Sequence, residues 1–234
     1  MARIVKREEH QMRRKEILDT AQRLVYTRGY DQVSIQDILN DLHISKGAFY
    51  HYFESKQALL QALIERLSDQ VVQILFPIVQ DEALPAAHKL QHLFDAAARW
   101  KTDRKEYLLT LVTIWYEDEN AILRQKVQTN VFPKIIPLIS SVIRQGIREG
   151  VFHTDFPEQV SGIIFSLLQN LGDTLIKFML QPDHHSEALG QLEIVTSSHQ
   201  EAVERILGAA SGSLPLFDNT ILREWFPLPN SSKE

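Results

Sequence analysis

Ser45-Lys46-Gly47-Ala48-Phe49-Tyr50-His51-Tyr52-Phe53-Glu54-Ser55-Lys56 is the stretch on which the reading of this 234-residue chain turns. Ser45 is placed to cap a short helix running to about Phe53, and Ser55 to cap the helix that follows. On a helix from Lys46 to Phe53, Gly47, Tyr50 and His51 share one side while Phe49 and Phe53 lie on the other. The aromatic side anchors the helix in a small core, and the polar side stays open.

Upstream, Ile17, Leu18, Ala21, Leu24 and Val25 form one face of a first helix over about 9–28, with Gly29 as its stop. Ser34-Ile35-Gln36-Asp37 is a capping-box pattern that starts a second short helix. Leu42-His43-Ile44 then makes a tight connection to the third. Two short helices joined by a short turn form a helix-turn-helix, whose second helix enters a DNA major groove.

The charge distribution supports this placement although the whole chain carries a net charge of −5. Residues 1–56 hold 10 Lys and Arg against 8 Asp and Glu, and the remainder 15 against 22, of totals of 25 and 30. The basic excess is at the N-terminal end, where Arg3, Lys6, Arg7, Arg13, Arg14 and Lys15 form an arm suited to phosphates.

Gly47 lets backbone approach DNA closely. Lys46 and His51 can reach base edges or phosphates, and the Tyr50 hydroxyl suits a phosphate oxygen. Gln36 lies just inside the second helix, and its amide suits adenine. The amides at Ser34 and Lys56 sit at helix N-termini that attract phosphate, and the Lys56 side chain adds a full charge.

The segment 45–56, with Thr27-Arg28-Gly29-Tyr30, Val33-Ser34-Ile35-Gln36-Asp37-Ile38 and Ile44, resembles the tetracycline-repressor (TetR) family over about residues 10–65. Beyond residue 65 the similarity is architectural. The resemblance implies that Lys46, Ala48 and His51 touch bases and that Tyr50, Tyr52 and Lys56 hold phosphates. It also implies a homodimer joined by the last two long helices of each subunit.

Apolar residues recur at helical spacing almost throughout, with 9 Gly and 9 Pro in the chain, so the expected fold class is all-α. A helix-turn-helix domain with a basic arm is expected over 1–56, a larger helical ligand-binding and dimerisation domain over 57–211, and an irregular tail over 212–234. Phe217, Leu222, Trp225 and Phe226 are the residues available to tack that tail down. A long fourth helix from Ser55 keeps an apolar stripe until Pro77 disturbs it. Further helices are expected at about 85–101, 104–117, 119–149, 157–181 and 197–211.

The helix around 158–179 has an unusually broad apolar arc that includes Val160, Ile163, Ile164, Leu167, Leu168, Leu171 and Leu175. Such an arc needs covering on more than one side, by its own core and by a second subunit. Val203, Ile206 and Leu207 offer the partner stripe. A two-fold operator likewise needs two readers.

For a small-molecule effector the middle helices offer Trp100, Tyr107, Trp115, Tyr116 and Phe132, with Pro133 and Pro137 bending one helix. Gln169, Asn170 and Asp173 offer polar groups beside the arc. The effector's identity is not encoded in any motif. His88 and His92 have metal-chelating spacing but fall opposite the apolar face of their helix, and His184-His185 stands in an expected loop without a third ligand. No metal or cofactor is expected, and no nucleotide-binding loop or nucleophile elbow speaks for an enzyme.

There are no cysteines, so disulfide and thiol chemistry are excluded. No export signal or membrane span is visible, and the expected location is cytoplasmic. The functional expectation is an operator-binding regulator, a repressor released by a small molecule. Its rival is a constitutive DNA-binding dimer whose C-terminal part serves only dimerisation or protein contacts.

Overall fold

The computed structural model describes residues 2–130, 132–180, 185–215 and 219–226. Among these there are eleven α-helices and no strand, so the chain is all-α. They are α1 (Ala2–Arg28), α2 (Ile35–Leu42), α3 (Lys46–Tyr50), α4 (Lys56–Gln80), α5 (Ala86–Thr102), α6 (Lys105–Trp115), α7 (Ala121–Asn130), α8 (Ile136–Glu149), α9 (Pro157–Leu180), α10 (His185–Leu207) and α11 (Asn219–Trp225). No described helix is long and apolar enough to cross a membrane.

The chain forms two compact units, one of Met1–Asp69 with Arg104–Val131 and one of Gln70–Asp103 with Phe132–Glu234. In the first, α1 buries the predicted face of Ile17, Leu18, Ala21, Leu24 and Val25. Ile38 and Leu39 of α2, Phe49, Phe53, and Leu59, Leu60 and Leu63 of α4 are buried in the same unit. Gly29 ends α1 at φ 82°, a left-handed conformation suited to glycine, and its N–H donates to the Val25 carbonyl at 2.9 Å. α6 also contacts α1, where the rings of Tyr26 and Tyr107 stand 6.1 Å apart.

The second unit has a core built from Leu75 and Val79 of α4, Leu90 and Leu93 of α5, Ile139, Val142 and Ile143 of α8, Ile164 of α9, and Val203 and Leu207 of α10. Phe152 closes it against Gly146 of α8. After α10 the chain is held by Glu204, a buried carboxylate that accepts from the amides of Gly212 (2.8 Å) and Leu214 (3.0 Å). Bonded this way, the buried carboxylate meets the polar demand that burial creates.

Several expected element boundaries are revised, and α1 begins at Ala2 rather than near residue 9. α4 runs through Pro77 to Gln80, because the missing N–H falls within one turn of the helix end and on a solvent-exposed side, where the freed carbonyl costs little. The expected helix over 119–149 is broken into α7 and α8, with Pro137 in the first turn of α8, where its missing N–H costs nothing. α10 begins at His185 rather than near 197, since the fully buried Leu192 gives its first turns something to pack on. The tail expected to be irregular contains α11. Phe226 packs there with Leu192, Leu175 and Phe178, and the Trp225 indole N–H donates to Thr102 Oγ1 at 2.6 Å. Phe217 and the Leu222 side chain lie outside the described residues.

Candidate nucleic-acid interface

The reader is assembled by three hydroxyl caps. Ser34 accepts from the Asp37 amide at 3.2 Å, while the Asp37 carboxylate accepts from the Ser34 amide at 2.8 Å and from its hydroxyl. These hydrogen bonds, with Arg28 at 3.4 Å, hold the Asp37 carboxyl below its ordinary value. Ser45 accepts from Ala48 N at 3.1 Å and Ser55 from Ala58 N at 3.0 Å.

Between α2 and α3, His43 takes the left-handed conformation, φ 52°. That turn lets Ile44 N reach the Leu39 carbonyl at 3.1 Å and redirects the chain into α3.

α3 is shorter than expected: the regular helix ends at Tyr50, although His51 N still donates to Gly47 O at 3.1 Å and Phe53 N to Phe49 O at 3.0 Å. The two-sided arrangement holds. Phe49 and Phe53 are buried, while Lys46, Gly47, Tyr50 and His51 are exposed and Ala48 and Tyr52 half-buried. The Lys46 ammonium lies 6.0 Å from the centroid of the Tyr50 ring. A Cβ placed on Gly47 would meet only Ser45 Oγ, at 3.9 Å. Internal packing therefore does not require a glycine there.

Gln36 is exposed on α2 and donates to Asn40 Oδ1 at 2.8 Å. Lys56 is engaged differently from a bare phosphate ligand. Its ammonium donates to the Tyr30 carbonyl at 2.9 Å and lies 4.2 Å over the Tyr30 ring. Burial lowers its pKa, against the raising influence of Asp31, Asp37 and Glu117.

The effector candidates are distributed over both units. Tyr107, Trp115 and Tyr116 belong to the first, and Trp100, Phe132, Gln169, Asn170 and Asp173 to the second. Trp100 is buried, Trp115, Tyr116 and Gln169 are half-buried, and the Phe132 side chain lies outside the described part. Asn170 and Asp173 are exposed on α9, with His199 Nε2 3.4 Å from Asn170 Oδ1. The Tyr107 hydroxyl is buried without a hydrogen-bond partner among the described residues, and burial raises its pKa to about 12. Ser68 on α4 has a buried hydroxyl in the same condition. Sequence reasoning missed it because a serine on a helix carries no signal of burial.

The residues expected at a subunit interface are distributed as follows within one chain. Ile164, Val203 and Leu207 are 0%, 1% and 0% exposed within one chain and belong to its own core. Val160 and Leu171 are also buried, and Leu167, Leu168, Leu175 and Ile206 are half-buried against the same chain. Among the described residues, the large apolar side chains exposed on these helices are Ile163, 51% exposed, and Ile194, 70% exposed. His88 and His92 are exposed, and no group of three or more potential metal ligands occurs among the described residues.

A capped helix, a left-handed turn and a second helix with one buried aromatic side and one exposed polar side define a helix-turn-helix DNA-binding protein. The family model described as bacterial regulatory proteins, tetR family, matches residues 17–63. That of the tetracyclin repressor-like C-terminal domain matches 107–182. The chain belongs to the tetR family of transcriptional regulators.

Among its relatives, the uncharacterized HTH-type transcriptional regulator YfiR of Bacillus subtilis is 24% identical over 185 residues, 76% of this chain and 85% of YfiR. The transcriptional repressor NemR of Escherichia coli is 38% identical over 61 residues, 26% of this chain and 30% of NemR. The chain spans less than half the length of most of the curated relatives it matches. The crystal structure of Bacillus subtilis FadR with stearoyl-CoA superimposes with a TM-score of 0.57 at 16% identity, covering 84% of this chain and 98% of FadR. This last likeness carries the fold alone.

Proposed function

We propose that this regulator is a homodimeric, operator-binding repressor whose hold on DNA is released by a small-molecule effector. The observation that carries the reading is the two-sided α3, whose exposed Gly47 is not required by any close contact among the described residues. In this reading residues 1–56 form the reader, 57–211 serve effector binding and dimerisation, and 212–234 form a tail. Lys46, Ala48, His51 and Gln36 read base edges. Tyr50, Tyr52, Lys56 and the amides opening α2 and α4 hold phosphates.

Because Ile164, Val203 and Leu207 are spent on the intrachain core, the dimer is assigned to the outward side of α9 and α10, through Ile163 and Ile194. Two readers on adjacent major grooves must be about 34–36 Å apart. An effector that binds preferentially to a dimer with a different spacing then releases DNA.

An effector role is supported by the Tyr107 hydroxyl, since a buried donor without a partner is costly and a bound polar group relieves that cost. Repression is supported by the repressor NemR among the relatives, and FadR, of the same fold, holds stearoyl-CoA. The reading places the protein in the cytoplasm, with double-stranded DNA as its partner.

The test is to select bound sequences from the source genome with the full-length protein and measure affinity by gel shift. A two-fold symmetric site with half-sites one helical turn apart is expected. Selection of no sequence, or of a single asymmetric half-site, overturns the dimeric reader.

A further inference from the structure

α1 begins at Ala2, whereas the family match begins at Ile17. The four helical turns between them therefore lie outside what the family likeness covers. Their charged residues are partly engaged within α1: Arg13 with Glu16 at 2.6 Å and Lys15 with Asp19 at 2.9 Å. His10 and Arg14 do something else. The His10 ring stands 4.6 Å from the Tyr52 ring, tilted by 44°, and 5.3 Å from the His51 ring, edge-on at 76°. His51 and Tyr52 are themselves 5.1 Å apart and edge-on. One turn along the same face of α1, the Arg14 guanidinium lies 4.9 Å over the Phe53 ring. Three consecutive residues at the exit of the reading helix, 51, 52 and 53, are thus each met by a side chain from α1.

This contact falls where α3 is weakest. The helix has five residues, and His51 and Tyr52 lie past its last one. His51 is exposed and Tyr52 only half-buried, so the helix itself does not fix their rotamers. A side chain that must be ordered on binding DNA costs affinity, and one ordered beforehand does not.

We propose that His10 is a positioning residue of the DNA reader, packing its ring against His51 and Tyr52 to hold both in the orientation in which they meet DNA, with Arg14 fixing the same strip through Phe53. The role belongs to the packing of the ring and not to a phosphate contact from the imidazole. The inference rests on the assignment of α3 as the operator reader.

The test uses the full-length protein on its selected operator and on a scrambled duplex of equal length, with His10→Ala, His10→Phe, His51→Ala and the His10→Ala/His51→Ala double variant. His10→Ala is expected to weaken operator binding about threefold to tenfold, the size of one lost aromatic contact. Scrambled-duplex binding is expected to fall less than operator binding, through Tyr52 alone, while salt slope and thermal melting stay as in the wild type. His10→Phe is expected to restore affinity, and the double variant to lose less than the sum of the two single losses, the remainder acting through Tyr52. Equal weakening on both duplexes with a salt slope lower by about one, unrescued by Phe and additive with His51→Ala, makes His10 a phosphate contact and overturns the proposal. Unchanged operator affinity, or a lowered melting temperature with parallel losses on both duplexes, also overturns it. Failure of the wild type to select any sequence is the separate failure of the reader assignment.

Discussion

Tyr30 and Lys56 hold each other at both ends. The Tyr30 hydroxyl donates to the Lys56 carbonyl at 3.3 Å, while the Lys56 ammonium donates to the Tyr30 carbonyl at 2.9 Å and lies over the Tyr30 ring. The pair fixes the start of α4 to the loop after α1. One of the three ammonium protons is used in this way, which leaves two for a phosphate.

Lys56→Ala is therefore expected to act twice. Loss of the clasp lowers the stability of the first unit by about 1 kcal/mol, as for a single hydrogen bond with a partly exposed cation–ring contact. Loss of a phosphate partner lowers the salt slope of operator binding by about one unit. Thermal melting and gel shifts at several salt concentrations separate the two. An unchanged slope with a lowered melting temperature assigns Lys56 to the clasp alone.

Gly47→Ala tests whether the missing side chain serves DNA. The added methyl meets only Ser45 Oγ at 3.9 Å, and alanine is a better helix former than glycine by about 1 kcal/mol. The variant is expected to melt at or above the wild-type temperature while losing operator affinity at least tenfold. Undiminished binding removes Gly47 from the interface.

Gly146→Ala has the opposite basis, because a Cβ at that position would fall 2.0 Å from the Phe152 ring, itself 2% exposed. Overpacking of this kind is expected to destabilise the second unit by about 3 kcal/mol. Phe152→Leu in the same chain should recover part of the loss by making room. Chemical denaturation of the single and double variants checks both statements.

The features legible in the sequence are those fixed by local geometry. Ser34 with Asp37, Ser45 and Ser55 are caps within four residues of their partners, and the opposition of Phe49 and Phe53 to Tyr50 follows from helical spacing alone. What the sequence hid depends on partners far along the chain. Glu204 reads as a surface carboxylate until the amides of Gly212 and Leu214 are seen to meet it. α11 becomes stable only against Leu192 and Thr102. On α9 the adjacent Ile163 and Ile164 look alike in sequence, yet one is 51% exposed and the other 0%. Periodicity finds an apolar arc but does not say which part of it the same chain already covers.

Ile163→Glu and Ile194→Glu place charges on side chains already facing outward, so each subunit is expected to keep its helical circular dichroism, while the dimer dissociates because the carboxylate would be buried against a second chain. Ile164→Glu is expected to unfold the second unit. Light scattering at micromolar concentration reads the outcome, and persistence of the dimer in both exposed-site variants assigns these isoleucines to free surface.

Tyr50 lies on the exposed side of α3, 42% exposed, with its ring edge-on to the buried Phe49 at 5.5 Å. The ring is propped by the core while the residue stays exposed, an arrangement suited to presenting one donor to a phosphate oxygen. Tyr50→Phe keeps the prop and removes the donor. The variant is expected to remain folded and dimeric and to lose about 0.5–1.5 kcal/mol of operator affinity, the net range for one hydrogen bond. Tyr50→Ala removes the prop as well. Because Tyr50 lies at the surface, 42% exposed, the loss of its ring is expected to cost little in melting temperature, but to weaken operator binding more than Phe does. If Phe is silent on DNA while Ala lowers the melting temperature sharply, the ring serves the fold and the hydroxyl serves nothing at the interface. Operator affinity and thermal melting measured on both variants decide between these outcomes.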